Sequence, residues 1–270
     1  MIGSSKHLTA SKDGTPIAFW KSGAGPPLVL VHGMIADHST TWRLVLPTLG
    51  RWFTVYAMDR RGRGGSGDGS VYELRKEAED VAAVVEAAGE PVCLLGHSFG
   101  GLCALEAARR SKGVERLIDY EGVFLRGTVL FPRTQISAIE ELLEDGRTEE
   151  ALVSFLREGA GMSDSEIDVL RSNSRAWQVR LGNAWTIPRE LEVQRKYEFE
   201  VTRFRSLQAP TLLLVGGESP RRVRHDAEAV AGALPNARVS SMAGQEHIAM
   251  YTAPDAFIEE IVRFTGRGES

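Results

Sequence analysis

Cysteine is nearly absent from this chain of 270 residues, which contains only Cys93 and Cys103. Two cysteines cannot make the disulfide framework of a small secreted domain or a zinc site, so both read as buried free thiols. Long apolar runs are missing as well. Met1 to Pro16 has no apolar core of the kind a secretory signal needs, and no later run approaches membrane-spanning length, so the expected location is the cytoplasm. Nor is there an excess of positive charge. The 32 basic residues face 36 acidic ones for a net charge of −4 with no basic stripe, which argues against nucleic acid as a partner. Internal repeats and low-complexity linkers are also lacking.

The residues that are present alternate. Strand candidates lie at Pro16 to Lys21, Leu28 to Val31, Phe53 to Met58, Val92 to Leu95, Arg116 to Tyr120, Thr211 to Val215 and Ala237 to Met242. Helix-like stretches separate most of them. Between Glu73 and Ala88, residues Leu74, Ala78, Val81, Val84 and Val85 fall close to a 3.6-residue period and leave an acidic outer face. This rhythm predicts an α/β fold with a mostly parallel sheet covered on both faces. At 43% hydrophobic residues, the chain is long enough for one such domain plus an insertion.

One junction carries chemistry. Val92 to Gly101 reads V-C-L-L-G-H-S-F-G-G, placing Ser98 between two close glycines at the end of a strand candidate, with a helix candidate, Leu102 to Arg110, following. The G-x-S-x-G spacing suits a sharp strand-to-helix turn in which a side chain at Gly96 or Gly100 would crowd the serine. A hydroxyl held at a helix N-terminus meets unpaired N–H groups and the positive end of the helix dipole, which favour a developing oxyanion.

Upstream, Pro27 to Val31 (P-L-V-L-V) runs into His32-Gly33-Met34. With the turn at Ser98, this pair resembles the α/β-hydrolase family over nearly the whole chain outside residues 123–204. The resemblance implies that Met34 and Phe99, the residues after H-G and after the nucleophile, donate the oxyanion-hole N–H groups. The family order of serine, acid, histidine leaves His225 and His247 of six histidines as bases. His225 sits in a charged, alanine-rich helix candidate, Arg221 to Leu234, and reads as a solvated position. His247 follows a strand candidate and Gly244 and precedes the helix candidate Pro254 to Phe264, like the family's histidine loop, so it is the expected base. His32 and His97 read as hydrogen-bonded structural residues, and His38 as a neighbour of the oxyanion loop.

The acid departs from the family pattern. Its usual aspartate lies three residues past a glycine after the strand Pro210 to Val215, and counting from Gly216 gives Ser219. Two carboxylates are open as replacements, Glu218 beside it and Glu121 after the strand ending at Tyr120. In D-Y-E-G, Asp119 lies within the strand, whereas Glu121 lies beyond its carboxyl end, where open α/β sheets build their sites. Glu121 is therefore preferred, with Glu218 the alternative; Glu218 also reads as an N-cap-region carboxylate before Pro220.

Two further stretches need an account. Gly62-Arg63-Gly64-Gly65-Ser66-Gly67 fits G-x-G-x-x-G, but Asp59-Arg60-Arg61 intervenes after the strand and the next strand ends without a ribose-binding acid, so it reads as a structural turn. Residues 123–204 hold only helix-like segments, with a capping-box signature at Ser163-x-x-Glu166 and plausible helix ends at Gly146 and Gly159. They are expected to form a helical cap on a core made of 1–122 and 205–270. Trp177 and Trp185, with Phe155 and Met162, are candidates to contact an apolar acyl or ring substrate.

Together these readings predict a serine hydrolase acting on carboxylic esters or lactones without cofactor or metal, with Ser98, His247 and Glu121 as triad and a small-molecule substrate. Serine at the elbow argues against dehalogenase or epoxide hydrolase chemistry, since those relatives use aspartate there. Carbon–carbon bond hydrolysis and cofactor-free perhydrolysis use the same triad and stay open. So does a ligand receptor on the same fold.

Overall fold

The computed structural model of the chain describes residues 4–123, 125 and 132–267. Eight strands form one sheet: β1 (Ser5–Ala10), β2 (Pro16–Gly23), β3 (Pro27–Val31), β4 (Thr54–Met58), β5 (Val92–His97), β6 (Val114–Tyr120), β7 (Thr211–Gly216) and β8 (Ala237–Met242). Their order is β1-β2-β4-β3-β5-β6-β7-β8. From β4 to β8 the neighbours are parallel, while β1 and β2 add an antiparallel edge. The seven strands predicted from apolar runs all form, with ends shifted by no more than two residues. β1 was not foreseen because nearly every residue of it is exposed, so no buried stripe marks it.

Burial explains the central strands. Every residue of β3, β5 and β7 is buried, as strands covered on both faces require. Helix Leu74–Ala88 buries Ala78, Val81, Val84 and Val85 and stops at Gly89, whose φ of 76° closes the helix. It packs against helix Phe99–Ala108, and helix Arg221–Ala233 lies on β7 and β8. Because β4 and β5 flank β3 on opposite sides, the chain reverses its direction of travel across the sheet between β3 and β5. A crevice opens at the carboxyl ends of strands at such a switch. The segments after β3 and β5, which begin at His32 and Ser98, therefore emerge side by side.

Between β6 and β7 the described residues form helices only: Arg133–Glu144, Thr148–Ser154, Asp164–Arg171, Ser174–Asn183, Ile187–Lys196 and Val201–Phe204, with wider and tighter turns at Phe155–Gly159 and Ala184–Thr186. Residues 124 and 126–131 of the expected insertion lie outside the described residues. Gly146 follows its helix with φ 75° and Gly159 ends the wide turn Phe155–Gly159, as predicted, while the left-handed glycine of that stretch is Gly161. The capping box is half present. Ser163 accepts the Glu166 N–H, but the Glu166 carboxylate turns away to the backbone of Ile248. No helix among the described residues is long and apolar enough to cross a membrane.

A buried ion cluster joins this helical segment to the sheet. The Arg60 guanidinium bonds Glu77 at 2.7 and 3.1 Å and Glu190 at 3.0 Å, and Arg63 pairs with the other oxygen of Glu190. All four side chains are buried. The cluster fills the turn that resembled a dinucleotide loop, and Asp59 accepts the Gly65 N–H within it, so the turn is built around its own charges. Removing one partner of a buried pair leaves an uncompensated charge. Glu190→Ala should therefore lower stability by about 3–5 kcal/mol, read by urea denaturation. An unchanged midpoint would show that the two arginines find other partners.

Candidate active site

Ser98 begins the helix that follows β5, with φ 53° and ψ −132°. A non-glycine residue there is strained and must be held by its surroundings. Its N–H donates to the Tyr120 carbonyl at 2.9 Å and its carbonyl accepts the Gly101 N–H at 2.7 Å. The helix start also sits tight against β3. A Cβ on Gly100 would lie 2.2 Å from the His32 carbonyl oxygen, and one on Gly96 would lie 2.5 Å from that of Gly100. The glycines of the motif are thus required by backbone contact.

Glu121 follows β6 and is also strained, at φ 53°. Its Oε2 accepts a hydrogen bond from His247 Nδ1 at 2.7 Å. The imidazole Nδ1 therefore carries the proton, which leaves Nε2 as an acceptor. Oε1 accepts the Gly216 N–H at 2.7 Å and the Ser219 hydroxyl at 2.6 Å. Ser219, which occupies the family's usual acid position, thus donates to the carboxylate that follows β6. Burial alone would raise Glu121, but the His247, Ser219 and Gly216 hydrogen bonds outweigh it and keep the carboxyl below its ordinary value. For His247, burial opposes the charged form, yet the bond and charge of Glu121 prevail and raise it above the ordinary 6.5.

The other carboxylates fall elsewhere. Glu218 is exposed, and its backbone N–H donates to the Gln245 carbonyl. Asp119 points back into the fold and accepts the Gly122 N–H at 2.6 Å. Burial pushes it up to about 7, and the charge of Glu121 adds to the rise. His225 is exposed on its helix, as expected.

The loop carrying His247 is pinned from several sides. His97 Nε2 donates to the His247 carbonyl at 2.9 Å, Tyr120 donates its hydroxyl to the Glu246 carbonyl and accepts the Ala249 N–H, and Glu166 accepts the Ile248 N–H at 2.9 Å. Burial and the His247 charge hold His97 well below its ordinary value, so it stays neutral. Sequence reasoning foresaw a structural His97 but missed Tyr120 and Glu166. Their partners lie 129 and 82 residues away, so no local spacing signals them.

On the opposite side, neither the Met34 nor the Phe99 N–H donates to a protein acceptor among the described residues. The carbonyl of the Gly33–Met34 peptide is held by His32 Nδ1 at 2.8 Å and Arg60 Nη1 at 3.2 Å. The Arg60 guanidinium also lies 4.6 Å from the centre of the Phe99 ring. His38 bonds Asp59 at 2.8 Å. Asp37, His38 and Asp59 bring potential metal-ligand atoms within 4.8 Å of one another. Both carboxylates also make protein bonds: Asp37 Oδ1 caps the helix that starts at His38, and Asp59 holds His38 and Gly65.

Two small chambers meet at Ser98 and His247. The larger, with about 40 Å³ open to the centre of a water molecule, is walled by Ile35, Phe155, Leu156, Met162, Arg180 and Tyr251 among others. The smaller, of about 20 Å³, reaches Glu121, Gln194 and Arg222. Phe155 and Met162 thus face the serine, as considered from sequence. Trp177 and Trp185 line neither chamber: Trp177 is buried with the Arg171 guanidinium over its ring, and Trp185 is half exposed beneath Arg189. Both expected contacts are corrected by placement. Their apolar area is used in packing and against arginine.

Comparison with known proteins agrees with this architecture. A solved structure of an alpha/beta hydrolase from Sphaerobacter thermophilus superimposes with a TM-score of 0.83 at 34% identity, covering 96% of this chain and 100% of that one. The esterase RhEst1 from Rhodococcus sp. shares the fold, with a TM-score of 0.76, 24% identity and coverage of 97% and 98%. Among curated proteins, the pyrrolizixenacetamide deacetylase of Xenorhabdus hominickii is 33% identical over 142 residues, which is 52% of this chain and 52% of that protein. The chain thus spans about half or less of the curated relatives it matches. The model of the alpha/beta hydrolase family matches residues 28–260. A match that runs from β3 into the last helix, on this sheet order, means that the chain belongs to the alpha/beta hydrolase family.

Proposed function

We propose that this chain is a cofactor-independent serine hydrolase that cleaves carboxylic esters or lactones of small molecules through an acyl-enzyme. The observation that carries the reading is the 2.7 Å bond from His247 Nδ1 to Glu121 beside the strained Ser98. His247 Nε2 takes the Ser98 proton as the hydroxyl attacks the acyl carbon, and Glu121 stabilises the imidazolium that results. The Met34 and Phe99 amides receive the tetrahedral oxyanion, and His247 returns its proton to the leaving group. Water then releases the acid by the same steps in reverse.

The helices of residues 133–204 act as the cap in this reading, since Phe155, Leu156 and Met162 face Ser98 across an apolar chamber. Their contacts, rather than those of Trp177 or Trp185, would select the acyl group. The likeness to a deacetylase over half the chain favours testing amides of the same acyl groups beside the esters. The site offers the same attack on either carbonyl.

An active-site phosphonate should label Ser98. Ser98→Ala should lower kcat on the order of 10⁴-fold or more against an acyl-length series of activated esters. Mass mapping of the adduct to another serine, or an active Ser98→Ala protein, would overturn the nucleophile assignment.

The pH profile tests the acid. Only neutral His247 can act as base, so an imidazole raised above 6.5 places the acid limb of kcat/KM above 6.5. Glu121→Gln removes the stabilising charge and leaves burial in control. It should cut kcat severely and move the limb of the residual activity below 6.5, while Glu218→Gln changes neither. A collapse in Glu218→Gln with a normal Glu121→Gln would exchange their roles.

A further inference from the structure

Arg180 presents a charge that the proposed reaction does not use. It lies on helix Ser174–Asn183, is only 3% exposed, and forms part of the wall of the larger chamber at Ser98. Of the five N–H groups of a guanidinium, the structure engages two: one on the Ala176 carbonyl at 3.1 Å and one on the Tyr251 hydroxyl at 2.8 Å. No carboxylate pairs with it among the described residues. The rest of that wall supplies no anion, since Phe155, Leu156, Met162, Leu170 and Ile248 are apolar. Tyr251 brings a second cation close instead, with Arg180 at 5.7 Å and Arg43 at 6.0 Å from its ring centre.

Other buried arginines here behave differently. Arg60 and Arg63 share Glu190, Arg60 also holds Glu77, and Arg61 holds Asp80 at 2.6 Å. A buried charge without a partner is costly, and proteins ordinarily pair it or neutralise it. A guanidinium stays charged. The missing counter-charge therefore has to come from whatever fills the chamber.

We infer that the substrate carries a carboxylate on its acyl portion, and that this carboxylate docks on Arg180 while the reacting carbonyl lies at Ser98. This rests on the hydrolase reading above and adds to it a substrate class: half-esters or half-amides of small dicarboxylic acids, whose product is the free diacid. The unused N–H groups of Arg180 suit a planar carboxylate, for which guanidinium is the matching donor. Apolar walls around the pair strengthen it by excluding water. The competing account makes Arg180 a strut, since Tyr251 also donates to the Thr40 carbonyl and so ties the helix to the segment beside the Met34 loop.

The test compares matched probes. Mono-4-nitrophenyl succinate and glutarate are assayed against 4-nitrophenyl butyrate and pentanoate. Binding of succinate and glutarate to the Ser98→Ala protein is measured by calorimetry against the corresponding diamides. The wild-type site should prefer the carboxylated ester and bind the diacid over the diamide. Arg180→Met should lower the charged-to-neutral ratio of kcat/KM by about 10- to 100-fold, the range for losing a charge-assisted bond. Arg180→Lys should keep part of the ratio, and Tyr251→Phe, which cuts the strut but keeps the cation, should keep most of it.

A Ser98→Ala protein that binds diacid no better than diamide would overturn the proposal. So would an Arg180→Met variant that loses both ester classes equally, or a ratio that falls as far in Tyr251→Phe as in Arg180→Met. Failure of the hydrolase reading looks different: no ester is turned over, yet diacid binding still depends on Arg180.

Discussion

Everything at this site depends on one close approach of backbone to backbone. The helix that begins at Phe99 starts against the carbonyls of Val31 and His32, with no room for a Cβ on Gly100, and Gly101 meets Gly122 in the same way. This crowding holds Ser98 at a positive φ. It also sets the three segments after β3, β5 and β6 side by side, so that Met34, Ser98 and Glu121 all border one small chamber. Three residues other than glycine have positive φ among the described residues, Ile35, Ser98 and Glu121, and each lies on one of these segments. The strain is concentrated where side chains must converge.

The carboxylate beside His247 shows how far the sequence could be read. The placing of Glu121 beside His247 was legible because Glu121 follows a strand at its carboxyl end, whereas Ser219 stands at the family's usual acid position without a charge. Its role was invisible from spacing. The Ser219 hydroxyl donates to Glu121, which keeps the turn after β7 engaged with that carboxylate across 98 residues of sequence. The two positions form one device: the residue after β6 supplies the charge, and the last residue of β7 and the turn that follows supply two of its three donors, Gly216 N–H and Ser219 Oγ.

The central strands β3, β5 and β7 were readable for a simpler reason. A strand buried on both faces writes a continuous apolar run, and the elbow writes its glycines. β1 writes neither, because it lies at an exposed edge. Polar side chains that act across the fold are silent in the same way. Glu166 looked like half of a capping box because its helix does begin at Ser163, yet its carboxylate serves the histidine loop. Trp177 and Trp185 looked like pocket walls because large aromatics fill apolar sites, but arginines cover both instead.

Arg60 connects these levels. Its guanidinium joins Glu77 on a sheet-packed helix to Glu190 on the inserted helices, and the same group holds the Gly33 carbonyl. That carbonyl belongs to the peptide whose N–H is offered by Met34. A cation and the His32 N–H on its oxygen draw electron density away from the amide, which makes the N–H a stronger donor. The face of Phe99, whose N–H is the other candidate donor, lies against the same guanidinium. The ion cluster that seats the helical segment on the sheet therefore also fixes the groups that would receive the oxyanion. A change in how that segment sits would be felt at the Met34 amide through one side chain, without any movement of Ser98.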